Sequence, residues 1–426
     1  MKVAFTTLGC RTNQHDTAEM QMLLEKEGYS IVNSSETADV YVINTCTVTA
    51  RSDYSSRLAV KKSLAINENA MVVFTGCYAQ LNHENAARMD GLDIVLGNAD
   101  KLKIADLLKT KLQNNRLQKK PGPAKIHMSN IHTQRVFRTL PVNQFQGRNK
   151  AFIKVQTGCN EKCSFCTVVR ARGSSASDTR ENVLNNVRQA IDGGYKEITL
   201  TGINLGTWGM DTGETFSSLV QDIIQLPGDF RVRLSSINPM EIDNDLIRLI
   251  AETEKICSHL HIPLQSGDNK ILKQMRRNYT REQYIEVIHR AVNAIPNLGL
   301  GADVIVGFPG ESEEDFQETL EVMERVQFDS AFTFKYSPRP HTKAEQYSGQ
   351  VPEDIKQERL QRVIELQKTH TLDQNRKLIG TVEMVLVEKV SKKDPDFWAG
   401  RTDSNKWVIF PMKNAKIQDI IPTYTA

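Results

Sequence analysis

Apolar and polar positions along the first hundred residues alternate in a way that predicts strands separated by helices. Three apolar runs, 3–10, 38–46 and 70–77, have the length of short strands, and each ends in a cysteine. The stretches between them, 16–27 and 52–66, have the spacing of amphipathic helices. This alternation predicts a parallel sheet with helices on both faces.

The same alternation resumes after residue 151 with longer helices. Thr280 with Gln283, and Ser312 with Asp315, have the spacing of capping boxes at helix starts. Six strand–helix units are too few for a closed eight-fold barrel, so we expect a partial, open α/β barrel whose active end lies where the strands finish. The predicted strands are 152–156, 197–200, 231–235, 259–263, 302–306 and 332–336.

The pattern changes again after a long helix predicted at 353–376. Residues 381–390, 398–410 and 415–421 have the pattern of short strands joined by turns, which predicts a small β-barrel. The expected fold class is therefore α/β, with an N-terminal parallel-sheet domain, a central partial (β/α)6 barrel and a small C-terminal β-barrel. The expected domains are 1–118, a linker at 119–145, the barrel at 146–368 and the β-barrel at 369–426.

The N-terminal residues, the apolar runs and the cysteines indicate the cellular compartment of the protein. The first residues lack a basic stretch followed by a long apolar segment, and no apolar run approaches the length of a membrane span. We therefore expect a cytoplasmic protein with no membrane partner. Cysteines stay reduced in the cytoplasm, so the grouped thiols among the seven cysteines point to metal binding or catalysis rather than disulfides.

Charge is distributed unevenly although the net charge is only +3. Between Gln113 and Lys150 there are eight Lys and Arg residues and no Asp or Glu. This stretch is either a solvated linker or an arm that faces a polyanion.

Cys10, Cys46 and Cys77 occupy the same position relative to three predicted strands. The carboxyl ends of parallel strands meet at one edge of a sheet, where ligands bind, so we expect the three thiols to converge. The alternative is three ordinary buried cysteines. Because burial alone does not explain the repeated position, we favour metal ligation.

Cys159, Cys163 and Cys166 form a second set, within eight positions of one loop. Three thiolates leave a tetrahedral zinc ion one ligand short, and the following residues, 167–173, contain no His or Cys. A [4Fe–4S] cluster with three protein ligands would keep one iron open to a small molecule. An open position on a metal is typical of a catalytic site.

This loop at the start of a partial barrel resembles that of the radical S-adenosylmethionine superfamily. The resemblance implies that the open iron binds the methionine part of S-adenosylmethionine and that Phe165 packs near the adenine of this cofactor. It also implies cofactor contacts at Thr201 and Gly202, after the second strand, and at Asp303 and Gly307, in the fifth-strand motif 303–311.

The motifs of the N-terminal domain narrow the resemblance to the radical S-adenosylmethionine methylthiotransferase family (MiaB/RimO/MtaB type). They are Leu-Gly-Cys10-Arg-Thr-Asn, Asn-Thr-Cys46-Thr-Val and Thr-Gly-Cys77-Tyr-Ala-Gln. The C-terminal segment, with Gly400-Arg-Thr, resembles the RNA-binding TRAM domain of that family. Two [4Fe–4S] clusters, one on each cysteine set, and S-adenosylmethionine are therefore the implied cofactors.

The resemblance implies an activity and partners. It is strongest to the members that methylthiolate threonylcarbamoyladenosine, at carbon 2 of the adenine beside the anticodon of tRNA. The implied partners are the anticodon stem-loop of tRNA and a reductant protein such as flavodoxin, with no DNA partner. On the C-terminal segment we expect RNA contacts by phosphate binding and base stacking at Arg401, Lys406, Trp407 and Lys413.

Three other functions stay open at this point. The chain could methylthiolate isopentenyladenosine in tRNA, or an aspartate of a ribosomal protein, or it could be a non-catalytic iron–sulfur electron carrier. Cys257 has no cysteine partner at a useful spacing, so we interpret it as a core thiol. His259 and His261 share one face of a strand and are interpreted as barrel side chains rather than a metal pair.

Overall fold

The structure is a computed structural model that describes residues 1–113, 116–117, 122–133, 137–142, 144–145, 147–412 and 415–425. It divides into two compact units, each of which contains three separate segments of the chain. The first unit contains residues 1–146, 154–160 and 167–186, and the second contains 147–153, 161–166 and 187–426. Among the described residues, no helix has both the length and the apolar character that crossing a bilayer requires.

A six-stranded parallel sheet forms the centre of the described part of the first unit. Its strand order is β2-β1-β3-β4-β5-β8. A short antiparallel pair, β6 with β7, lies outside it. The strands are β1 (Lys2–Thr7), β2 (Ser30–Val32), β3 (Val40–Thr45), β4 (Met71–Gly76), β5 (Ile94–Leu96), β6 (Leu112–Gln113), β7 (Arg116–Leu117) and β8 (Lys125–His127).

Helices cover both faces of this sheet, as the sequence predicts. Along β3, Val42 packs with Met20 and Leu24 on one face, while Ile43 packs with Val60 on the other. A strand that is buried on both faces has a continuous apolar sequence, which is the pattern of β3 and β4. The helices are α1 (Arg11–Lys26), α2 (Ala50–Ile66), α3 (Cys77–Leu81), α4 (His83–Ala87) and α5 (Ile104–Lys109).

A partial barrel forms the larger part of the second unit. Two three-stranded sheets, β13-β12-β9 and β14-β15-β16, are linked by parallel bridges from Val232 to Ile256 and from Ser236 to His261. The strands between residues 151 and 335 are β9 (Ala151–Lys154), β10 (Gln156–Thr157), β11 (Ala176–Ser177), β12 (Glu197–Thr201), β13 (Arg231–Leu234), β14 (His259–His261), β15 (Gly299–Val306) and β16 (Ser330–Lys335). The predicted six strands are confirmed, and β10 with β11 is an antiparallel pair of the first unit.

Two of the helices between these strands begin where the sequence predicts. Thr280 and Ser312 each cap a helix, and both capping boxes are present. The long helix predicted at 353–376 has those bounds. The helices of this region are α6 (Val168–Arg172), α7 (Arg180–Asp192), α8 (Phe216–Ile224), α9 (Asn244–Glu252), α10 (Asn269–Met275), α11 (Arg281–Ala294), α12 (Glu313–Val326) and α13 (Glu353–Arg376).

The C-terminal segment is an antiparallel half-barrel of four strands in the order β19-β18-β17-β20. Val385, Val387 and Phe410 form its small core. The last strand begins five residues later than predicted, at Ile420. The strands are β17 (Val382–Val390), β18 (Phe397–Arg401), β19 (Trp407–Pro411) and β20 (Ile420–Tyr424).

A buried ion network attaches this half-barrel to the barrel strands. Glu197 of β12 is fully buried and accepts hydrogen bonds from Arg231 at 2.9 Å and from Arg233 at 2.9 and 3.0 Å. The same two guanidinium groups donate to the carbonyl oxygens of Arg401 and Thr402, each at 2.9 Å. Burial alone would raise the pKa of Glu197, but the arginines and Lys150 hold it well below its ordinary value. The carboxylate therefore stays charged and organises the contact.

We expect Glu197→Gln to lower the free energy of unfolding by about 3–5 kcal/mol, because the change removes the counter-ion of the buried Arg233 and one of the two carboxylate partners of Arg231. The measurement is chemical denaturation followed by tryptophan fluorescence. As a matched control, Lys196→Met removes an exposed ion pair with Asp229 at 2.6 Å and should cost less than about 1 kcal/mol. Equal losses in the two variants would contradict this role of Glu197.

Candidate functional site

The three N-terminal cysteines follow three neighbouring strands. Cys10 is the residue before α1, Cys46 follows β3 directly, and Cys77 follows β4 and begins α3. In the parallel register Thr45 pairs with Gly76, so Cys46 and Cys77 leave the sheet at the same level. Leu8, two residues before Cys10, donates its N–H to the carbonyl of Asn44 at 2.9 Å. All three thiols thus lie at the carboxyl edge of the sheet.

The pKa of Cys46 and the packing of Gly9 both indicate that these thiols are neighbours. Burial raises the pKa of Cys46, and the neighbouring thiols Cys77 and Cys10 raise it further, against a hydrogen bond from the Val48 backbone. Gly9 has a φ of +89°, and a Cβ there would lie 2.8 Å from the sulfur of Cys46. Only glycine fits this turn, because a side chain would displace the thiol.

Two asparagines hold the turns that carry these cysteines. Asn13 donates to the carbonyl of Leu8 at 2.8 Å and to the carbonyl of Thr45 at 3.0 Å. Asn44 in turn donates to the carbonyl of Asn13 at 2.8 Å. The sequence shows both residues beside the cysteines but not these contacts, which depend on the register of β1 and β3.

Cys159 belongs to the first unit. Its backbone N–H donates to the carbonyl of Gly173 at 3.2 Å. The preceding Gly158 has a φ of +67°, and a Cβ there would lie 1.9 Å from the carbonyl oxygen of Ser174. The start of the loop is therefore fixed by a close backbone contact that only glycine permits.

Cys163 and Cys166 belong to the second unit. Ser164, which lies between them, donates its N–H to the carbonyl of Met275 at 3.0 Å and its hydroxyl to the carbonyl of Gln274 at 2.8 Å. Arg277 donates from Nη1 to the sulfur of Cys163 at 3.3 Å. This cationic partner of a site cysteine was missed by sequence reasoning, since nothing in the sequence pairs positions 163 and 277.

Phe165 lies in an aromatic cluster of the second unit. Its ring is edge-to-face with Phe308 at a centroid distance of 6.4 Å, and Phe308 contacts Tyr336 at 5.2 Å and Tyr347 at 6.2 Å. The cluster also includes Met275 at the end of α10. Packing of this kind fixes the ring beside the cysteine loop.

The other predicted cofactor contacts lie on two strands of the barrel. Thr201 is buried at the end of β12 and Gly202 follows it. Gly307 follows β15 and donates its N–H to Glu311 at 2.8 Å. Asp303 lies inside β15, as the strand predicted at 302–306 implies, and its carboxylate is 3.3 Å from Nε2 of His261. These contacts with the cofactor remain predictions.

Trp407 forms the centre of the candidate RNA surface. It is 47% exposed, and the charged ends of Arg401 and Lys389 each lie 4.6 Å from the centre of its ring. Arg401 and Trp407 are paired across the hairpin of β18 and β19. Lys389 was missed by sequence reasoning because only the sheet register brings β17 beside this hairpin.

The other two predicted RNA contacts have different outcomes. Lys406 forms a largely buried ion pair with Asp329, so its ammonium group is occupied within the second unit. Because a phosphate contact would have to break this pair, we leave Lys406 out of the proposed surface. Lys413 lies outside the described residues, as do Lys119, Lys120 and Arg135 of the basic linker.

None of the seven cysteines, all of which lie in the described ranges, forms a disulfide. Within the described ranges, no three His, Cys, Asp or Glu side chains are arranged to hold a single metal ion. Cys257 is completely buried, and burial raises its pKa to about 12 although Arg233 and Arg231 lower it. A protonated, buried thiol fits the interpretation of Cys257 as a core residue.

Comparison with known families divides the chain into three segments. Residues 2–97 match the uncharacterized protein family UPF0004, residues 153–323 match the Radical SAM superfamily, and residues 376–422 match the TRAM domain. The first match contains Cys10, Cys46 and Cys77, and the second contains Cys159, Cys163 and Cys166.

Curated relatives match over most of the chain. Threonylcarbamoyladenosine tRNA methylthiotransferase MtaB of Aquifex aeolicus is 42% identical over 86% of this chain and 88% of its own length. The Bacillus subtilis protein of the same name is 37% identical over 96% of this chain and 90% of its own. The tRNA-2-methylthio-N(6)-dimethylallyladenosine synthase of Thermoanaerobacter pseudethanolicus is 38% identical over 95% of this chain and 86% of its own length.

Solved structures of low identity share the fold. The radical S-adenosylmethionine methyltransferase TsrM from Kitasatospora setae matches with a TM-score of 0.57 and 13% identity, over 80% of this chain and 76% of its own. The cobalamin-dependent S-adenosylmethionine radical enzyme OxsB matches with a TM-score of 0.51 and 12% identity, over 87% of this chain and 56% of its own. At these identities the similarity concerns the fold alone.

We expect iodoacetamide at pH 8 to label Cys10, which is exposed, and to leave Cys257 unlabelled in the folded protein prepared without metal. With a pKa of about 12, Cys257 exists as thiolate in only about one molecule in 10,000 at that pH. Peptide mass spectrometry before and after unfolding measures the labelling. Rapid native labelling of Cys257 would contradict its place in the core.

Proposed function

The chain belongs to the radical S-adenosylmethionine methylthiotransferase family, and we propose that it methylthiolates carbon 2 of threonylcarbamoyladenosine beside the anticodon of tRNA. The observation that carries this substrate is the 42% identity to a relative named for it, over 86% of the chain. The enzyme class rests on the same relatives and on the Radical SAM match at 153–323.

The cofactors are S-adenosylmethionine and [4Fe–4S] clusters, which together supply radical chemistry that no side chain can perform by acid–base means. We assign Cys10, Cys46 and Cys77 to one cluster and Cys159, Cys163 and Cys166 to the other. The thiols fit such groups because none of them is tied up in a disulfide and because the first three interact at one sheet edge. Each set leaves one iron of its cluster without a protein ligand.

Buried hydroxyl groups support the placement of S-adenosylmethionine near Thr201 and Gly202. Thr199 Oγ1 and Ser235 Oγ are buried and have no hydrogen-bond partner among the described residues. Thr199 shares its face of β12 with Thr201, because side chains alternate along a strand. Unpaired buried hydroxyls cost free energy unless a polar ligand or water reaches them. Phe165, Asp303 and Gly307 complete the proposed contacts.

The RNA partner is proposed to bind the half-barrel through Trp407, Arg401 and Lys389. A half-exposed indole can stack an unpaired base while the cations beside it contact phosphate. The TRAM match at 376–422 supports this surface. A reductant protein such as flavodoxin and a cytoplasmic location belong to the same proposal.

A second candidate substrate is dimethylallyladenosine in tRNA. It is favoured by the Thermoanaerobacter relative, which is 38% identical over 95% of this chain and is named as a synthase of the 2-methylthio derivative. The two candidates share the reaction and the RNA, and they differ in the group on N6 of the adenine.

We expect a bacterial strain that lacks this protein to accumulate threonylcarbamoyladenosine without its methylthio group. Nucleoside mass spectrometry of total tRNA measures the change. The wild-type gene should restore the modified nucleoside, whereas Cys10→Ala and Cys163→Ala should each abolish it, because each removes one cluster ligand. Cys257→Ala is the matched control and should restore it.

Other results of the same experiment contradict the proposed substrate. Loss of the methylthio group from dimethylallyladenosine instead would establish the second candidate. Unchanged tRNA together with loss of a methylthio group from a ribosomal-protein aspartate would exclude tRNA as the substrate.

We expect Trp407→Ala to weaken binding of a tRNA anticodon stem-loop by roughly 5- to 150-fold, since a stacked base is worth about 1–3 kcal/mol. Trp407→Phe keeps a stacking ring and should restore most of the affinity. Lys389→Met should flatten the dependence of log affinity on log salt by about 0.7. Fluorescence anisotropy at several salt concentrations measures both effects, and unchanged affinity in Trp407→Ala would exclude this surface.

A further inference from the structure

Five charged side chains form a buried ion cluster in the first unit. Asp16 and Glu19 lie on α1, which begins immediately after Cys10. None of the five is more than 6% exposed. The members of this buried ion cluster are Asp16, Glu19, Lys101, Lys154 and Arg172.

The two carboxylates of the buried ion cluster already have close partners. Asp16 accepts from Lys101 at 2.6 Å, from Lys154 at 2.5 Å and from Arg172 at 2.9 Å. Glu19 accepts from Lys154 at 3.1 Å and from the backbone N–H of Leu140 at 2.8 Å.

The charges of the buried ion cluster do not balance. Three cations share two carboxylates, so one positive charge is left over. His15, 3.6 Å from Glu19, would add to the surplus if it were protonated. A buried charge without a counter-charge costs several kcal/mol. The cluster therefore requires an anion near Lys101 or Arg172.

The N-terminal thiols lie where that anion is needed. Burial lowers the pKa of Arg172, but the charges of Asp16, Cys77 and Cys10 raise it above its ordinary value. Burial lowers the pKa of Lys101, and the charges of Asp16 and Cys77 act against that shift. Asn98 donates at 2.7 Å to the carbonyl of Ala171, the residue before Arg172, and its amide nitrogen is 3.9 Å from the sulfur of Cys77.

One donor of Arg172 is still unused. Its Nη2 atom bonds Asp16 and Asn13, but its buried Nε has no hydrogen-bond partner among the described residues. A buried N–H without a partner is rare in a folded protein and calls for an acceptor. Thiolate and sulfide are acceptors that an iron–sulfur cluster at Cys10 and Cys77 would bring.

We propose that Arg172 and Lys101 supply the counter-charge for the iron–sulfur cluster bound by Cys10, Cys46 and Cys77, and that they raise its reduction potential. This inference rests on the proposed function, since it requires a cluster at those thiols. Reduction adds a negative charge to the cluster, and a fixed positive charge nearby stabilises the reduced form. Arg172 and Lys101 are thus positioning residues that act on the cluster through charge.

The test uses the full chain with Cys159→Ala, Cys163→Ala and Cys166→Ala, so that only the N-terminal set can bind a cluster. A redox titration followed by electron paramagnetic resonance gives its potential. Arg172→Met should lower the ratio of reduced to oxidised cluster at fixed potential at least about tenfold, which is about 59 mV for one electron. Arg172→Lys keeps the charge and should restore most of the ratio.

Asp16→Asn separates a charge effect from a structural one. It removes a negative charge from the same ion cluster, so the proposal predicts a shift in the opposite direction, toward easier reduction. Lys101→Met is a second test. It should lower the ratio of reduced to oxidised cluster, as Arg172→Met does. Lys103→Met is the matched control, because the Lys103 side chain is 63% exposed and pairs with Asp100, and it should leave the potential unchanged.

Several outcomes overturn the inference. Unchanged potentials in Arg172→Met and Lys101→Met would contradict it, as would shifts of Asp16→Asn and Arg172→Met in the same direction. Loss of iron in both Arg172→Met and Arg172→Lys would show that Arg172 only holds the structure together. If the triple-alanine chain itself binds no iron, the proposed function fails as well, whereas a bound cluster with an unmoved potential contradicts this inference alone.

Discussion

The parallel register of β1, β3 and β4 is the constraint on which the N-terminal site depends. Asn44 pairs with Thr7 on one side and with Thr75 on the other. Each strand then runs into a cysteine at the same edge, so three thiols far apart in sequence share one side of the sheet. A slip of one residue would turn every side chain of the strand to the opposite face. Because β3 is apolar on both faces, its hydrophobic pattern alone does not fix the register, and the hydrogen bonds of Asn13 and Asn44 at the strand ends are what align the thiols.

Two buried ion networks, each organised around a carboxylate, differ in how far water reaches them. In the second unit, Lys150, Arg231, Arg233 and Arg401 contact the carboxylates of Glu197, Glu388 and Asp403, and the side chains of Arg401 and Asp403 are partly exposed. In the first unit, among the described residues, three cations share the carboxylates of Asp16 and Glu19, and all five side chains are buried. Water can therefore solvate the surplus charge of the second unit but not that of the first. This contrast is what makes a functional anion the better explanation for the surplus near Cys77.

The sequence predicted features that depend on short stretches of chain. The six barrel strands, the capping boxes at Thr280 and Ser312, and the helix at 353–376 all follow from local periodicity or local hydrogen bonds. The short strands β2, β5 and β8 were missed, because three residues are too few to show a period. Contacts that join distant segments were also missed, as with Arg277 and Cys163.

Lys406 shows the limit of reading function from residue type. A lysine on a TRAM-like hairpin suggests a phosphate contact, yet its partner is Asp329, 77 positions away in sequence. Lys389 was missed for the same reason: its position beside Trp407 depends on the pairing of β17 with β18, which residue type does not reveal. Propensity determines which segments form strands, but only the assembled sheet determines which lysine faces solvent.

Arg401 connects the proposed RNA surface to the core of the second unit. Its guanidinium lies against Trp407, while its carbonyl oxygen accepts from the buried Arg231. The next carbonyl, that of Thr402, accepts from Arg233. Because both links use backbone oxygens, they do not depend on the Arg401 guanidinium, which could exchange its contacts with Glu388 and Asn405 for a ligand without releasing the hairpin. A rigid support of this kind lets an exposed indole receive a base without first paying the entropy of ordering a loop.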